Sequence, residues 1–133
     1  ILFFHQIRLI VYEKTEFCGF LSGDELIKAY EESGIFVFPT REDCFGLVTL
    51  EAMCCGLPAV VSKYADSSYD LLDNLRSGVI VDPYDTEKFA SVIDKLLDDN
   101  ELKLSMSKAA KLKSYEFAFE KTAETFMKAV DSS

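Results

Sequence analysis

The chain has 133 residues, 49% of them hydrophobic and 28% charged, with a formal net charge of −9. That length suits one domain burying roughly two-thirds of its extended surface, and the acidic balance excludes a nucleic-acid surface, which needs a basic stripe. No apolar run reaches the ~18 residues of a membrane span, so no transmembrane segment is expected.

The opening ILFFHQIRLIVYEK is broken by His5, Gln6 and Arg8 and lacks the basic start and cleavage site of a secretory signal. There is no initiator Met, which points to a cut or incomplete chain. Residues 1–14 are apolar and β-branched around Ile7–Tyr12, a candidate strand. His5 lies outside every motif and reads as structural. Phe17–Phe20 is a second strand candidate, closed by Gly19. Ser22 and Glu25 then have capping-box spacing, with Ser22 as N-cap. The helix they start carries Leu26, Ile27, Ala29 and Tyr30 and ends at Gly34.

Ile35–Phe38 is an unbroken apolar run, as expected of a parallel strand covered on both faces. The spacing predicts a largely buried helix over Gly46–Cys55, stopped by Gly56, and then a strand over Ala59–Ser62 opened by Pro58. A polar loop, Lys63–Ser68, leads to a short helix near Tyr69–Asn74, and Gly78 introduces a strand at Val79–Val81. Asp82–Asp85 is a turn with Asp85 or Thr86 as the next N-cap. The helix after it places Phe89, Val92, Ile93, Leu96 and Leu97 on one face. Leu102, Met106 and Ala109 mark a further helix, and Phe119, Ala123, Phe126 and Val130 the last. Apolar strands alternating with helices imply an α/β fold, a doubly wound, Rossmann-like parallel sheet.

In such a sheet ligands sit beyond the carboxyl ends of the strands, which is where Pro39–Gly46 falls. There a strand runs through a polar loop into a helix N-terminus, whose unpaired N–H groups and dipole suit an anion. Asp43 lies at the loop, and Glu51 lies roughly 8 Å along the helix from its start. A phosphate on the first-turn amides would leave an attached ribose within reach of Glu51, with Asp43 on the other side. Spacing alone favours plainer roles: Asp43 as N-cap and Glu51 as a solvated helix residue. Arg41 could neutralise a phosphate, although a surface pair with Glu42 is the plainer reading. The four cysteines, Cys18, Cys44, Cys54 and Cys55, have no CxxC pair and no His at ligand spacing. They read as buried free thiols of a cytoplasmic protein rather than disulfides or metal ligands.

The run FVFPTREDCFGLVTLEAMCCGLPAVVS resembles the signature of family 4 glycosyltransferases, retaining enzymes of the GT-B fold. FCGFLSGDELIKAYEESGIFVFPT and SGVIVDPYDTEKFASVIDKLL resemble the same C-terminal domain. The resemblance covers residues 17–133 and implies the nucleotide-sugar-binding half of a GT-B fold, leaving 1–16 as an atypical N-terminal segment. It implies Asp43 beside the donor sugar and Glu51 on the ribose hydroxyls as the catalytic pair. Arg41 and the amides of Phe45, Gly46, Leu47 and Val48 complete the donor site. The first acid is usually Glu, so Asp43 is one methylene short; Glu42 is the other candidate but breaks the spacing of eight.

Residues 1–14 do not resemble the segment that supplies an Arg and a Lys to the diphosphate, and the N-terminal acceptor domain is missing. The implied activity is hexosyl transfer from a UDP- or GDP-hexose to a hydroxyl, with no metal, no cofactor and no turnover by this chain alone. A non-catalytic nucleotide-binding or interaction module is the alternative. A sugar-nucleotide epimerase would require catalytic acids and a His that the chain does not offer.

Overall fold

A computed structural model describes residues 2–3, 16–118, 121–123 and 127–128. Four parallel strands pair in chain order: β1 (Leu2–Phe3), β2 (Phe36–Phe38), β3 (Ala59–Ser62) and β4 (Gly78–Val81). The helices are α1 (Asp24–Glu31), α2 (Leu47–Cys54), α3 (Ser67–Leu71), α4 (Thr86–Asp98) and α5 (Asn100–Ser114), followed by a 3-10 turn at Tyr115–Phe117. None of the helices among these residues is long and apolar enough to cross a membrane.

The strands show why a continuous apolar run was needed. Phe36, Phe38, Ala59 and Val61 face one cluster with Tyr30 of α1, Ala52 and Met53 of α2, and Leu71 of α3. Val37, Val60, Val79 and Val81 face a second cluster with Phe89 and Leu96 of α4 and Met106 of α5. Successive side chains point to opposite faces, so a sheet covered on both sides asks for apolar residues throughout; the buried Ser62 at the end of β3 is satisfied by the Tyr64 N–H at 3.0 Å. Helix α5 serves both faces, placing Met106 in one cluster and Ala110 in the other.

Helix ends follow local chemistry. Asp85 caps α4 by accepting from the Lys88 N–H at 3.0 Å, and Asp99 caps α5 by accepting from the Leu102 N–H at 2.9 Å. Helix α2 ends in a Schellman arrangement around left-handed Gly56: its N–H donates to the Met53 carbonyl, and the Leu57 N–H donates to that of Ala52.

Several expectations are corrected. Residues Phe17–Phe20 form no strand: Gly19 is left-handed, Phe17 and Phe20 are exposed, and no partner strand runs beside them among the described residues. The N-cap of α1 is Gly23, with no side-chain cap bond, because the helix starts one residue later than a Ser22 cap requires. That helix closes at Glu32, ahead of Gly34. Helix α3 begins at Ser67 rather than near Tyr69, since the chain already turns at Ala65, whose carbonyl accepts from the Ser68 N–H.

Helix α2 is only half buried. Thr49, Ala52 and Met53 point inward, whereas Leu47, Glu51 and Cys54 share an exposed face at i, i+4 and i+7. The cysteines are free but not buried: Cys18, Cys44 and Cys54 are exposed, and Cys55 is partly covered. Burial, then the neighbouring Cys54, pushes the Cys55 thiol above its usual range. The candidate strand at Ile7–Tyr12, His5, and Phe119, Phe126 and Val130 of the last helix lie outside the described residues.

The two faces of α2 should respond oppositely to truncation. Met53→Ala removes a fully buried side chain and should cost about 2–5 kcal/mol in urea unfolding. Leu47→Ala, on the exposed face, should stay within ~0.5 kcal/mol. Comparable losses at the two positions would mean that α2 is covered on both sides.

Candidate functional site

The carboxyl ends of β2, β3 and β4 meet around the loop that leads into α2. Asp43 is fastened to the loop after β3: its N–H donates to the Tyr64 carbonyl at 3.2 Å, and its carbonyl accepts from the Asp66 N–H at 3.3 Å. Its side chain is not the N-cap of α2. Oδ1 instead accepts from the Phe45 N–H at 3.0 Å, closing a two-residue turn of its own. The capping position belongs to Gly46, which is left-handed at φ +67°. A Cβ there would stand 3.0 Å from the Phe38 ring, 3.3 Å from Asp43 Oδ1 and 3.3 Å from Ser67 Oγ. Both the backbone conformation and the space demand glycine.

The first turn of α2 therefore opens on this loop with its N–H groups turned outward. Thr49 donates back to the Gly46 carbonyl at 2.9 Å. The N–H groups of Gly46, Leu47 and Val48 have no acceptor among the described residues. Of the four amides assigned to the anion, three are thus available. That of Phe45 is engaged by Asp43, because an aspartate two residues before an N–H is the right length to take it.

Glu51 stands on the exposed face of α2, one turn beyond Leu47, at a rise of roughly 6 Å. It is not simply solvated. The hydroxyl of Tyr30, whose residue is 1% exposed, donates to Glu51 Oε2 at 3.1 Å. Burial, then the Glu51 charge and this hydrogen bond, push the phenol well above its ordinary range, so it remains a donor. Edge-on packing of its ring against Phe36, with centroids 6.2 Å apart, fixes the phenol from behind.

Arg41 behaves differently. Its guanidinium lies 5.4 Å from the centre of the Tyr84 ring, and Tyr84 in turn meets Tyr64 edge to face at 5.8 Å. No ion pair joins it to Glu42 among the described residues, which corrects that expectation. Glu42 lies in a turn where Thr40 Oγ1 donates to its carbonyl at 2.8 Å. On the same side, Lys63 pairs with Asp82 at 2.6 Å, and that bond raises the lysine's pKa and lowers the aspartate's.

The structure thus brings Asp43, Gly46, Leu47, Val48 and Glu51 to one helix and its entry, and gives Arg41 a contact on the β4–α4 turn. A groove of about 470 Å³ lined by Gly34, Gly56, Pro58 and Ser107 lies at the amino ends of β2 and β3, away from these groups. Sequence reasoning missed Tyr30 and the Tyr64–Asp66 segment. A tyrosine on the apolar face of α1 needs a partner for its hydroxyl, but a partner 21 residues away leaves no local trace.

Residues 8–113 match the family model described as glycosyl transferases group 1. The chain belongs to that family. It is 31% identical over 105 residues to a D-inositol 3-phosphate glycosyltransferase of Corynebacterium jeikeium, covering 79% of this chain and 25% of the relative. It is 37% identical over 98 residues to the sulfoquinovosyl transferase SQD2 of Arabidopsis thaliana, covering 71% of this chain and 19% of that one. The chain therefore spans about a quarter or less of these curated relatives' length.

Among solved structures it resembles Anabaena Alr3699/HepE in complex with UDP and glucose, with TM-score 0.78, 20% identity, and coverage of 92% of this chain and 33% of that one. It also resembles the C-terminal domain of the group 1 glycosyl transferase LpcC from Francisella tularensis, with TM-score 0.67, 21% identity, and coverage of 76% and 52%. The fold of this group 1 domain is that of a GT-B C-terminal half.

The buried phenol has a pH signature. Its pKa is raised on folding, so its contribution to stability is complete below the unfolded value of about 10 and is lost as pH rises past it. The stability difference between the parent and Tyr30→Phe, measured by urea unfolding, should be constant to about pH 9 and fall beyond pH 10. A difference that does not change through that range would contradict the buried donor.

Proposed function

We propose that residues 17–133 are the nucleotide-sugar-binding domain of a retaining, family 4 glycosyltransferase that passes a hexosyl group from a UDP- or GDP-hexose to a hydroxyl acceptor. The observation that carries the reading is the open first turn of α2, flanked by a turn-locked Asp43 and a hydrogen-bonded Glu51. The diphosphate would accept from the N–H groups of Gly46, Leu47 and Val48, where the helix dipole also favours negative charge. As the sugar leaves, charge grows on the departing phosphate oxygens, and fixed donors aimed there lower the barrier. Glu51, farther along the same face, would accept from the ribose hydroxyls.

Asp43 would lie by the transferred sugar. Its Oδ1 is taken by the Phe45 N–H, leaving Oδ2 for the ligand. That turn holds the shorter side chain in one place and offers a reason for Asp where Glu is usual. Arg41, packed against Tyr84, is assigned to the margin of the donor site. The nucleotide sugar is a substrate, and the reading asks for no cofactor. The complexes of Alr3699/HepE with UDP and UDP-glucose support a sugar nucleotide as the ligand class. The free cysteines accord with a cytoplasmic setting. Residues 1–14 do not resemble the segment that brings an Arg and a Lys to the diphosphate, so residues 1–133 alone should bind nucleotide weakly. With acceptor binding assigned to a domain outside residues 17–133, they should transfer nothing.

Glu51→Gln, in the intact protein, keeps shape and helix propensity but removes the charge. Charge-assisted bonds are worth roughly 1.5–3 kcal/mol each. Donor affinity by calorimetry should therefore fall at least about tenfold, while unfolding loses no more than about 1.5 kcal/mol, since the Gln amide oxygen still accepts from the Tyr30 hydroxyl. Unchanged donor affinity would remove Glu51 from the site. The anomeric configuration of the product, read by NMR, tests the stereochemical half: inversion would contradict a retaining enzyme.

A further inference from the structure

The Tyr30–Glu51 contact joins a side chain in the core to a carboxylate on the exposed face of α2. A glutamate on a helix surface ordinarily samples many rotamers, and ordering it on a ligand costs entropy. Here one oxygen, Oε2, is tied at 3.1 Å to a phenol that is itself buried and packed edge-on against Phe36. A carboxylate has about four acceptor positions. One bond from Tyr30 therefore leaves Oε1 whole and Oε2 half free, enough for two further hydroxyl donors. A buried tyrosine could have been satisfied by a backbone carbonyl; a carboxylate that keeps most of its capacity facing solvent is a different arrangement.

We infer that Tyr30 is a positioning residue for donor binding, which orders Glu51 in advance for the ribose hydroxyls through the bond to Oε2. The inference rests on the assignment of Glu51 to the ribose. Tyr30 itself never touches the nucleotide; its effect passes entirely through the glutamate.

The test is a double-mutant cycle in the intact protein, with UDP and 2′-deoxy-UDP as probes in calorimetry. Tyr30→Phe keeps the ring and its packing and removes only the hydroxyl. It should weaken UDP binding by about fivefold to tenfold, and weaken 2′-deoxy-UDP binding less, since one of the two ribose donors is gone. In a Glu51→Gln background, Tyr30→Phe should add no further loss. Turnover should show a raised KM with kcat little changed, as expected for an interaction made equally in the ground and transition states.

If Tyr30→Phe binds UDP like the parent while Glu51→Gln does not, the inference falls and the Glu51 assignment stands. If Tyr30→Phe costs the same factor with or without Glu51, the tyrosine acts by another route and the inference is overturned. If Glu51→Gln leaves UDP binding intact, both fall together. Should Tyr30→Phe fail to fold, Glu51→Asp withdraws the carboxylate from the phenol at an exposed position. It should reproduce the loss for UDP, and parent-like affinity there would overturn the inference.

Discussion

The carboxyl end of this sheet depends on one backbone conformation, the left-handed turn at Gly46. It lets the chain leave the Asp43 turn and enter α2 with Phe38 and Ser67 pressed against the place where a side chain would be. From it follow the direction of α2, the exposure of its first N–H groups and the side of the helix on which Glu51 emerges. Any other residue would have to adopt a strained conformation and displace an aromatic ring of the core. The donor groups of the proposed site are backbone atoms, so their placement is a property of packing rather than of side-chain choice.

That dependence explains how the core on the α1–α2 side of the sheet serves the site. Phe36, Phe38 and Met53 fix the height of α2 over the sheet, and Tyr30, from the same cluster, reaches through to Glu51. Asp43 is set from the other direction by main-chain bonds to Tyr64 and Asp66. The two carboxylates are therefore held by different elements. The first is tied to the loop after β3 and the second to α1, with α2 between them. Lys63 is paired with Asp82, whereas Arg41 keeps its charge over the Tyr84 ring, so in the proposed site the attraction for an anion would come from the amides and helix dipole with Arg41 at the margin.

Much of this was legible before any coordinates. The unbroken runs Phe36–Phe38 and Ala59–Ser62 announced strands covered on both faces, Asp85 announced a cap, and Gly56 announced a helix end. What failed was local in a different sense. The spacing of Ser22 and Glu25 satisfies a capping box, but the helix begins after Gly23. The apolar sequence of α2 implies a largely buried helix, yet its Leu47–Glu51–Cys54 face is exposed, with no helix or strand among the described residues laid over it. Aspartate's preference for the cap position makes Asp43 a candidate cap, yet Gly46 occupies it. The Tyr30–Glu51 bond could not be read at all, since a hydrogen bond between two helices depends on how both sit on the sheet.

The central claim is that the anion site is the first turn of α2. Backbone amide NMR of the intact protein titrated with UDP tests it most directly. The largest shifts are expected on the Gly46, Leu47 and Val48 amides, with the Tyr30 and Glu51 backbone amides shifting less and the Gly56–Ser107 groove silent. Shifts concentrated on that groove, with Gly46–Val48 unmoved, would contradict it.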